Sequence, residues 1–396
     1  MTGLISEQRQ ERLRGIIDEY TSDAETRIPG LVYLSAETVF WLASFTKLAT
    51  SVACMQLVEK GLIRLDDADQ LEAISPELRD VKVLKRDDDG NFTLGDKKRR
   101  ITLRMLLNHT AGFGYAFEDE RLALYGQPIG LDDFSGERDD VINRPLVNQP
   151  GEKFQYGTSM DWVGIIIERV SGLSLEDYFQ ENVFGPLGMQ SVSFHPSEKA
   201  KSNLAYMHQR LPGGKLIQAD HLYRKPLIAG PANEEGRGVF CAGGHGCFGQ
   251  PAEYRKLISL LLNNGTDSKT GAQLLKPETV EEMFKDQIPD KPRFCNEYVP
   301  VAKPLLANPT PLQPVPDNLT EGWGLSFSLS HQPTAWGRAA GSASWEGLAN
   351  LYWFADRQTG LGGLIASQIL PYGDSYVVEC FERVEAEIYK AIRENE

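Results

Sequence analysis

Ser44-Phe45-Thr46-Lys47 sets a hydroxyl and an amine three residues apart at the head of a long apolar run. Residues at that spacing share one face of a helix, so the amine can reach the hydroxyl. A serine is a poor nucleophile until a neighbouring base takes its proton. An amine does so only when burial or a nearby positive charge brings its pKa toward neutrality. At the first turn of a helix, the positive end of the dipole also favours the charge that develops on the serine oxygen. Taken alone, the same four residues describe a helix cap followed by a solvated lysine. Trp41 and Leu42 before them, and the apolar helix after them, argue for a buried one.

Two further segments carry chemistry. Gln155-Tyr156-Gly157-Thr158-Ser159 lies between Pro150-Gly151 and a helical stretch, so Tyr156 can present its phenol to a cleft and relay a proton. The plain reading is a packed ring with a satisfied hydroxyl. Trp345-Glu346-Gly347-Leu348 falls on an expected strand late in the chain. A glycine there lets a substrate lie against the strand edge, where a backbone N–H can face an oxyanion.

Other chemistries lack their residues. The sequence has no Gly-x-Ser-x-Gly elbow, no phosphate loop ending in Gly-Lys-Ser/Thr and no His-Glu-x-x-His. Gly244 to Gly249 matches the dinucleotide pattern but sits outside any βαβ unit. Cys241, His245 and Cys247 have no second ligand pair nearby, so free thiols in a glycine-rich loop are expected rather than a metal site. The five cysteines are odd in number and scattered, unlike a disulfide framework. With no signal-like start at Met1 to Gln8, this leads to the expectation of a cytoplasmic protein.

The elements that must position these groups are legible in outline. Helices are expected over residues 6–23 (exposed), 44–60, 102–109, 161–170, 251–262, 277–284 and 379–394, with a short strand over 31–34. Residues 323–330, 343–354 and 361–368 are rich in aromatic and β-branched types and read as antiparallel strands. Residues 304–316 are proline-rich and read as a surface loop. This is an α+β layout, with an antiparallel sheet flanked by helices and an all-helical insertion. The 396 residues are 41 % hydrophobic, enough for a large core, and no apolar run is long enough to span a membrane. Forty-one Lys plus Arg against 55 Asp plus Glu give a net charge of -14, which repels phosphate backbones and anionic lipid.

Ser-x-x-Lys, then a loop tyrosine, then an aromatic-x-Gly strand resembles, in that order, the serine β-lactamase and penicillin-binding-protein superfamily. The likeness is to its class C-like branch, which carries a tyrosine in the second motif. Connecting phrases agree: Leu106-Leu107-Asn108-His109-Thr110-Ala111-Gly112 is similar to the family's L-L-x-H-T-S-G segment. Pro150-Gly151, the stretch from Gly164 to Gly172, Pro186-Leu187-Gly188-Met189 and Gly243-Gly244 each resemble a family phrase. The likeness runs from about Ala36 to Gln368 and extends to fungal β-lactamase-like esterases and the transesterases that acylate polyketides.

The resemblance implies one β-lactamase-like domain over 1–396, its α/β part near 1–65 and 240–396 and its helical part near 66–239. It implies Ser44 as the acylated nucleophile, with Lys47 or Tyr156 as base. The backbone N–H groups of Ser44 and Leu348 would form the oxyanion hole, and Trp345, Glu346 and Gly347 would line the substrate. Substrates would be small-molecule esters or thioesters, with an alcohol acceptor and an acyl carrier as candidate partners. No metal or cofactor, and no nucleic-acid or membrane partner, is expected. Two departures favour neutral substrates over β-lactams: Tyr156-Gly157-Thr158 stands where lactamases carry Tyr-x-Asn, and Trp345 stands where they carry a carboxylate-binding lysine. Glu346 adds a negative charge there. Between the opening helix and Ser44, where the family places a two-stranded hairpin, only the dozen or so residues from Leu31 to Trp41 remain for it. That shortening keeps open a catalytically silent ligand-binding protein, and a lyase or dehydratase reusing the pocket is a further alternative.

Overall fold

Residues 321–365 form the sheet against which the rest of the chain is organised: β1 (Glu321–Trp323), β2 (Ser328–Ser330), β3 (Ala343–Gly347), β4 (Leu351–Asp356) and β5 (Leu361–Ile365). They pair antiparallel in the order β5-β4-β3-β2-β1. The computed structural model describes residues 6–23, 25, 27–28, 37–231, 238–297, 299–312 and 314–394. The strand expected over 31–34 lies outside the described residues. Among the described residues, no strand preceding Ser44 joins the five-stranded sheet; Phe40–Trp41 pairs instead with Phe248–Gly249.

β4 reads Leu-Tyr-Trp-Phe-Ala-Asp and is buried along its whole length, because helices cover both faces of the sheet. A strand buried on two sides needs a continuous apolar run rather than alternation. One cover is the helix Pro251–Leu262, which starts on a proline, as helices favour. Gly362 on β5 lets it approach: a Cβ there would stand 2.4 Å from Ile258. The other cover is Ser375–Arg393, capped by the Asp374 carboxylate accepting from the Val377 N–H. Glu7–Thr21 packs on that helix through Ile16, Ile17 and Tyr20, so one face of the opening helix is covered.

The helix Thr46–Glu59 runs through the middle of the molecule and is buried from Thr46 to Leu57. A helix without a polar face belongs in a core. It packs against Ser159–Ser171, whose exit is marked by Gly172 in the left-handed conformation. Between residues 66 and 239 the described elements are mainly short helices, with two small hairpins at residues 83–95 and 207–219.

Three expectations need correction. Ser44 does not open the α-helix; it sits on a 3₁₀ turn, Ala43–Phe45, immediately before it. The stretch 323–330 is a tight hairpin reversing at Ser326, whose φ is 81°. The stretch 343–354 is a second hairpin reversing at Asn350, with φ of 59°. Asparagine tolerates that conformation, and its side chain bonds the Ile369 and Pro371 carbonyls and the Gly373 and Asp374 N–H groups. Leu348 therefore lies on a turn rather than on a strand.

Candidate active site

The 3₁₀ turn carries the candidate nucleophile into place. Ala43, just before Ser44, is held at φ of +44°, a strained conformation for a residue with a Cβ. Residues i and i+3 eclipse in a 3₁₀ turn, and the Lys47 amine stands 2.9 Å from Ser44 Oγ. Ser44 makes no capping bond, so the plain helix-cap reading does not hold.

Lys47 is fully buried. Besides Ser44 its amine reaches the Gly244 carbonyl at 2.8 Å and the Tyr115 hydroxyl at 3.2 Å. It also lies 4.6 Å from the centre of the Tyr156 ring. Burial pushes its pKa down to about 7, against the pull of the Asp161 and Glu118 carboxyls toward the charged form. Asp161 is also fully buried; burial raises its pKa, while Lys47 and the Gly244 N–H hold it down. Gly244 is the link between them, its N–H donating to Asp161 Oδ1 at 2.8 Å. A Cβ at Gly244 would stand 2.8 Å from Asp161 Oδ2, so this position has no room for a side chain. The dinucleotide-like pattern from Gly244 to Gly249 is thus a turn wrapped around the lysine, followed by a two-residue strand.

Tyr156 lies in the loop before Ser159–Ser171, and Gly157 sets its height. A Cβ at Gly157 would meet the Phe113 carbonyl at 2.3 Å, so only glycine lets this loop press against residues 113–114. The loop is tied down by Gln155 N–H donating to the His109 carbonyl at 2.8 Å. Trp345 Nε1 donates to the Tyr156 hydroxyl at 3.0 Å. Ser44 lies close enough to that phenol to favour its ionised form, but burial dominates and raises its pKa well above the usual phenol value. The His109 ring stacks 4.8 Å from Tyr156, and burial keeps it neutral.

Tyr115, Asp161 and His109 were not singled out from the sequence. Tyr115 is fixed by a buried ion pair 16 to 30 residues further along the chain. Arg144 and Asp133 bond each other; the guanidinium donates to the Gly114 carbonyl, and the carboxylate accepts from Ala116 and Phe117 N–H. Both are 1 % exposed, and together they hold the segment on which Tyr115, Phe117 and Glu118 sit.

The third motif divides by face. Trp345 and Glu346 sit opposite Trp353 and Tyr352, so their side chains point to opposite sides of β3. Trp345 joins the Ser44, Lys47 and Tyr156 cluster, while Glu346 accepts a hydrogen bond from the Tyr372 hydroxyl on the other side. Gly347 brings the strand end against the Ser44 turn: a Cβ there would lie 3.3 Å from the Leu42 carbonyl. Over this edge opens a cavity of about 740 Å³, lined near the serine by Ser44, Tyr115, Phe117, Tyr156, Trp345 and Leu348. Residues 310–312 of the proline-rich loop form part of its wall.

Cys241, His245 and Cys247 do not converge. Cys241 lies beside His195, and the His245 ring is boxed by Trp41, Phe134 and Tyr223. Among the described residues no group of three or more His, Cys, Asp or Glu is arranged to hold a metal ion. Burial raises the thiol pKa of Cys54 and Cys380 to about 12, and those of Cys241 and Cys247 well above the ordinary value. Among the described residues no helix is long and apolar enough to cross a membrane.

Comparison with known proteins shows the family and the fold. The Beta-lactamase family model matches residues 30–379. Monacolin J acid methylbutanoyltransferase of Aspergillus terreus is 31 % identical over 369 residues, covering 90 % of this chain and 83 % of its own. Lovastatin esterase of Penicillium rubens is 31 % identical over 363 residues, covering 89 % and 86 %. A mutant simvastatin synthase from Aspergillus terreus superposes with a TM-score of 0.75 at 31 % identity, covering 91 % of this chain and 84 % of that one.

Proposed function

The chain belongs to the Beta-lactamase family, and from that premise we propose that it transfers acyl groups from small-molecule esters or thioesters through an acyl-enzyme on Ser44. The observation that carries this reading is the buried Lys47 amine, 2.9 Å from Ser44 Oγ and brought near neutrality by burial. A neutral amine has two hydrogens, matched by the Gly244 carbonyl and the Tyr115 hydroxyl, and one lone pair left to face Ser44.

Lys47 takes the Ser44 proton as the oxygen attacks the acyl carbonyl. The oxyanion forms against the backbone N–H groups of Ser44 and Leu348; one such donor is typically worth about 2.7–4 kcal/mol. Collapse expels the alcohol or thiol, which takes its proton from the Lys47 ammonium, and Lys47 then deprotonates the incoming acceptor. Tyr156 acts as a neutral phenol, because burial disfavours its phenolate. Trp345 fixes its direction.

Named relatives include both an acyltransferase and an esterase. The aromatic walls of the cavity favour transfer, since an acceptor must out-compete water at roughly 55 M. Incubation with an activated ester followed by proteolysis and mass spectrometry should find the acyl group on Ser44. An adduct elsewhere, or none, would refute the mechanism. Adding an alcohol should divert product from free acid to new ester; undiminished free acid would assign the chain to the esterases.

A further inference from the structure

The cavity does not end at the catalytic cluster. β2 pairs with β3 only at Leu329–Ala343 and Ser328–Ser344, which leaves the stretch from Trp345 to Gly347 as a free edge on that side. The cavity passes over this edge to the opposite face of the sheet, where Glu346, Tyr352, Tyr372, Val378 and Phe381 line it. The rings there form a continuous row: Tyr352 lies 6.4 Å from Tyr372 and 5.8 Å from Phe381.

The charges along this cavity are lopsided. Three lysine or arginine side chains line it, and each is already taken by a carboxylate. Arg121 bonds Asp119, Lys153 pairs with Glu297, and Arg338 is bonded through two nitrogens to Glu385. Two of the carboxyls that line it, Glu346 and Glu118, form no ion pair with any described residue. Glu346 has one phenol, Tyr372, with Arg338 acting on it only at longer range. Glu118, on the catalytic side, is acted on by Lys47 only through space, and burial raises its pKa to about 8. Both line the same cavity.

A cavity with aromatic walls and carboxyls outside any ion pair is complementary to an organic cation. We propose that the substrate of this site carries a basic amine, bound as ammonium in the far lobe against Glu346, Tyr372 and the Tyr352–Phe381 rings, with Glu118 facing it from the catalytic side. The inference rests on the acyl-transfer reading for its meaning, not for its measurement. In the far lobe a carboxylate substrate would meet no unpaired cation among the described residues, Arg338 being held by Glu385, and would face the Glu346 carboxyl. Burial raises the pKa of both carboxyls, and a bound ammonium would draw them back toward the ionised form that attracts it.

The test is binding of three six-carbon probes (hexylammonium, hexanol and hexanoate) to the Ser44→Ala protein by calorimetry, where no turnover intervenes. Hexylammonium should bind at least tenfold tighter than hexanoate and several-fold tighter than hexanol. Glu346→Gln should abolish that preference. Should Glu346→Gln fail to fold, as judged by its melting transition, Tyr372→Phe and Glu118→Gln should each narrow it. Equal or tighter binding of hexanoate, or a preference untouched by these substitutions, would overturn the proposal. A missing acyl-enzyme in the unmodified protein would strike the catalytic reading and leave the binding result standing.

Discussion

The Lys47 amine and the Asp161 carboxylate are joined through a single residue: Gly244 accepts from the one with its carbonyl and donates to the other with its N–H. Neither charged group bonds the other directly. The carboxylate acts on the amine through space, favouring its ammonium form against the larger opposing effect of burial.

That arrangement sets a pH dependence. Only the neutral amine can take the serine proton, so kcat/KM for an activated ester should climb as pH rises through about 7. Asp161→Asn removes a carboxylate that favours the ammonium, so the amine titrates lower and the rising limb should move to lower pH. Rate profiles of the two proteins decide it; a limb displaced to higher pH would contradict the assignment of Lys47 as base.

Trp345→Phe keeps the ring and deletes the N–H that holds the Tyr156 hydroxyl. One lost hydrogen bond of about 1 kcal/mol predicts a fall in kcat of roughly five- to tenfold with the melting temperature little changed. An unaltered kcat would mean that the phenol needs no such guide.

Gly244→Ala drives a methyl to 2.8 Å from Asp161 Oδ2. The turn must shift, taking with it the carbonyl that the lysine uses. A loss of ~1–3 kcal/mol of stability is expected, together with a deeper loss of acylation rate. Chemical denaturation and stopped-flow acylation measure the two separately.

Arg144→Met leaves the Asp133 carboxylate buried without its cation. Breaking a buried pair from one side costs about 3–5 kcal/mol, so the variant should unfold at markedly lower urea concentration. The segment carrying Tyr115 depends on this pair, and surviving protein should acylate slowly. Unchanged stability would show that the pair contributes nothing to the core.

What the sequence revealed follows from how local each signal is. Ser44 and Lys47 are three residues apart, so turn geometry alone brought them together on paper. Pro251 and Gly172 mark helix ends by backbone chemistry, and both ends lie where expected. The reversals at Ser326 and Asn350 were hidden because neither turn uses glycine at its left-handed residue; the aromatic neighbours made each hairpin look like one strand. Tyr115 and Asp161 escaped notice for another reason. Their roles arise from the Arg144–Asp133 pair and from Gly244, partners 16 to 30 residues from the Tyr115 segment and 83 residues from Asp161. Trp345 was expected to wall the cleft, and its indole N–H to Tyr156 depends on a register that no spacing announces.

The submerged cysteines give the molecule a built-in clock for its own opening. Cys54, Cys247 and Cys380 are each at most 1 % exposed and their thiols resist ionisation. Alkylating reagents attack the thiolate, so in the native state these sulfurs should stay silent. The pace at which iodoacetamide marks them therefore times how often the fold breathes apart, while an ester probe on the same sample times the chemistry.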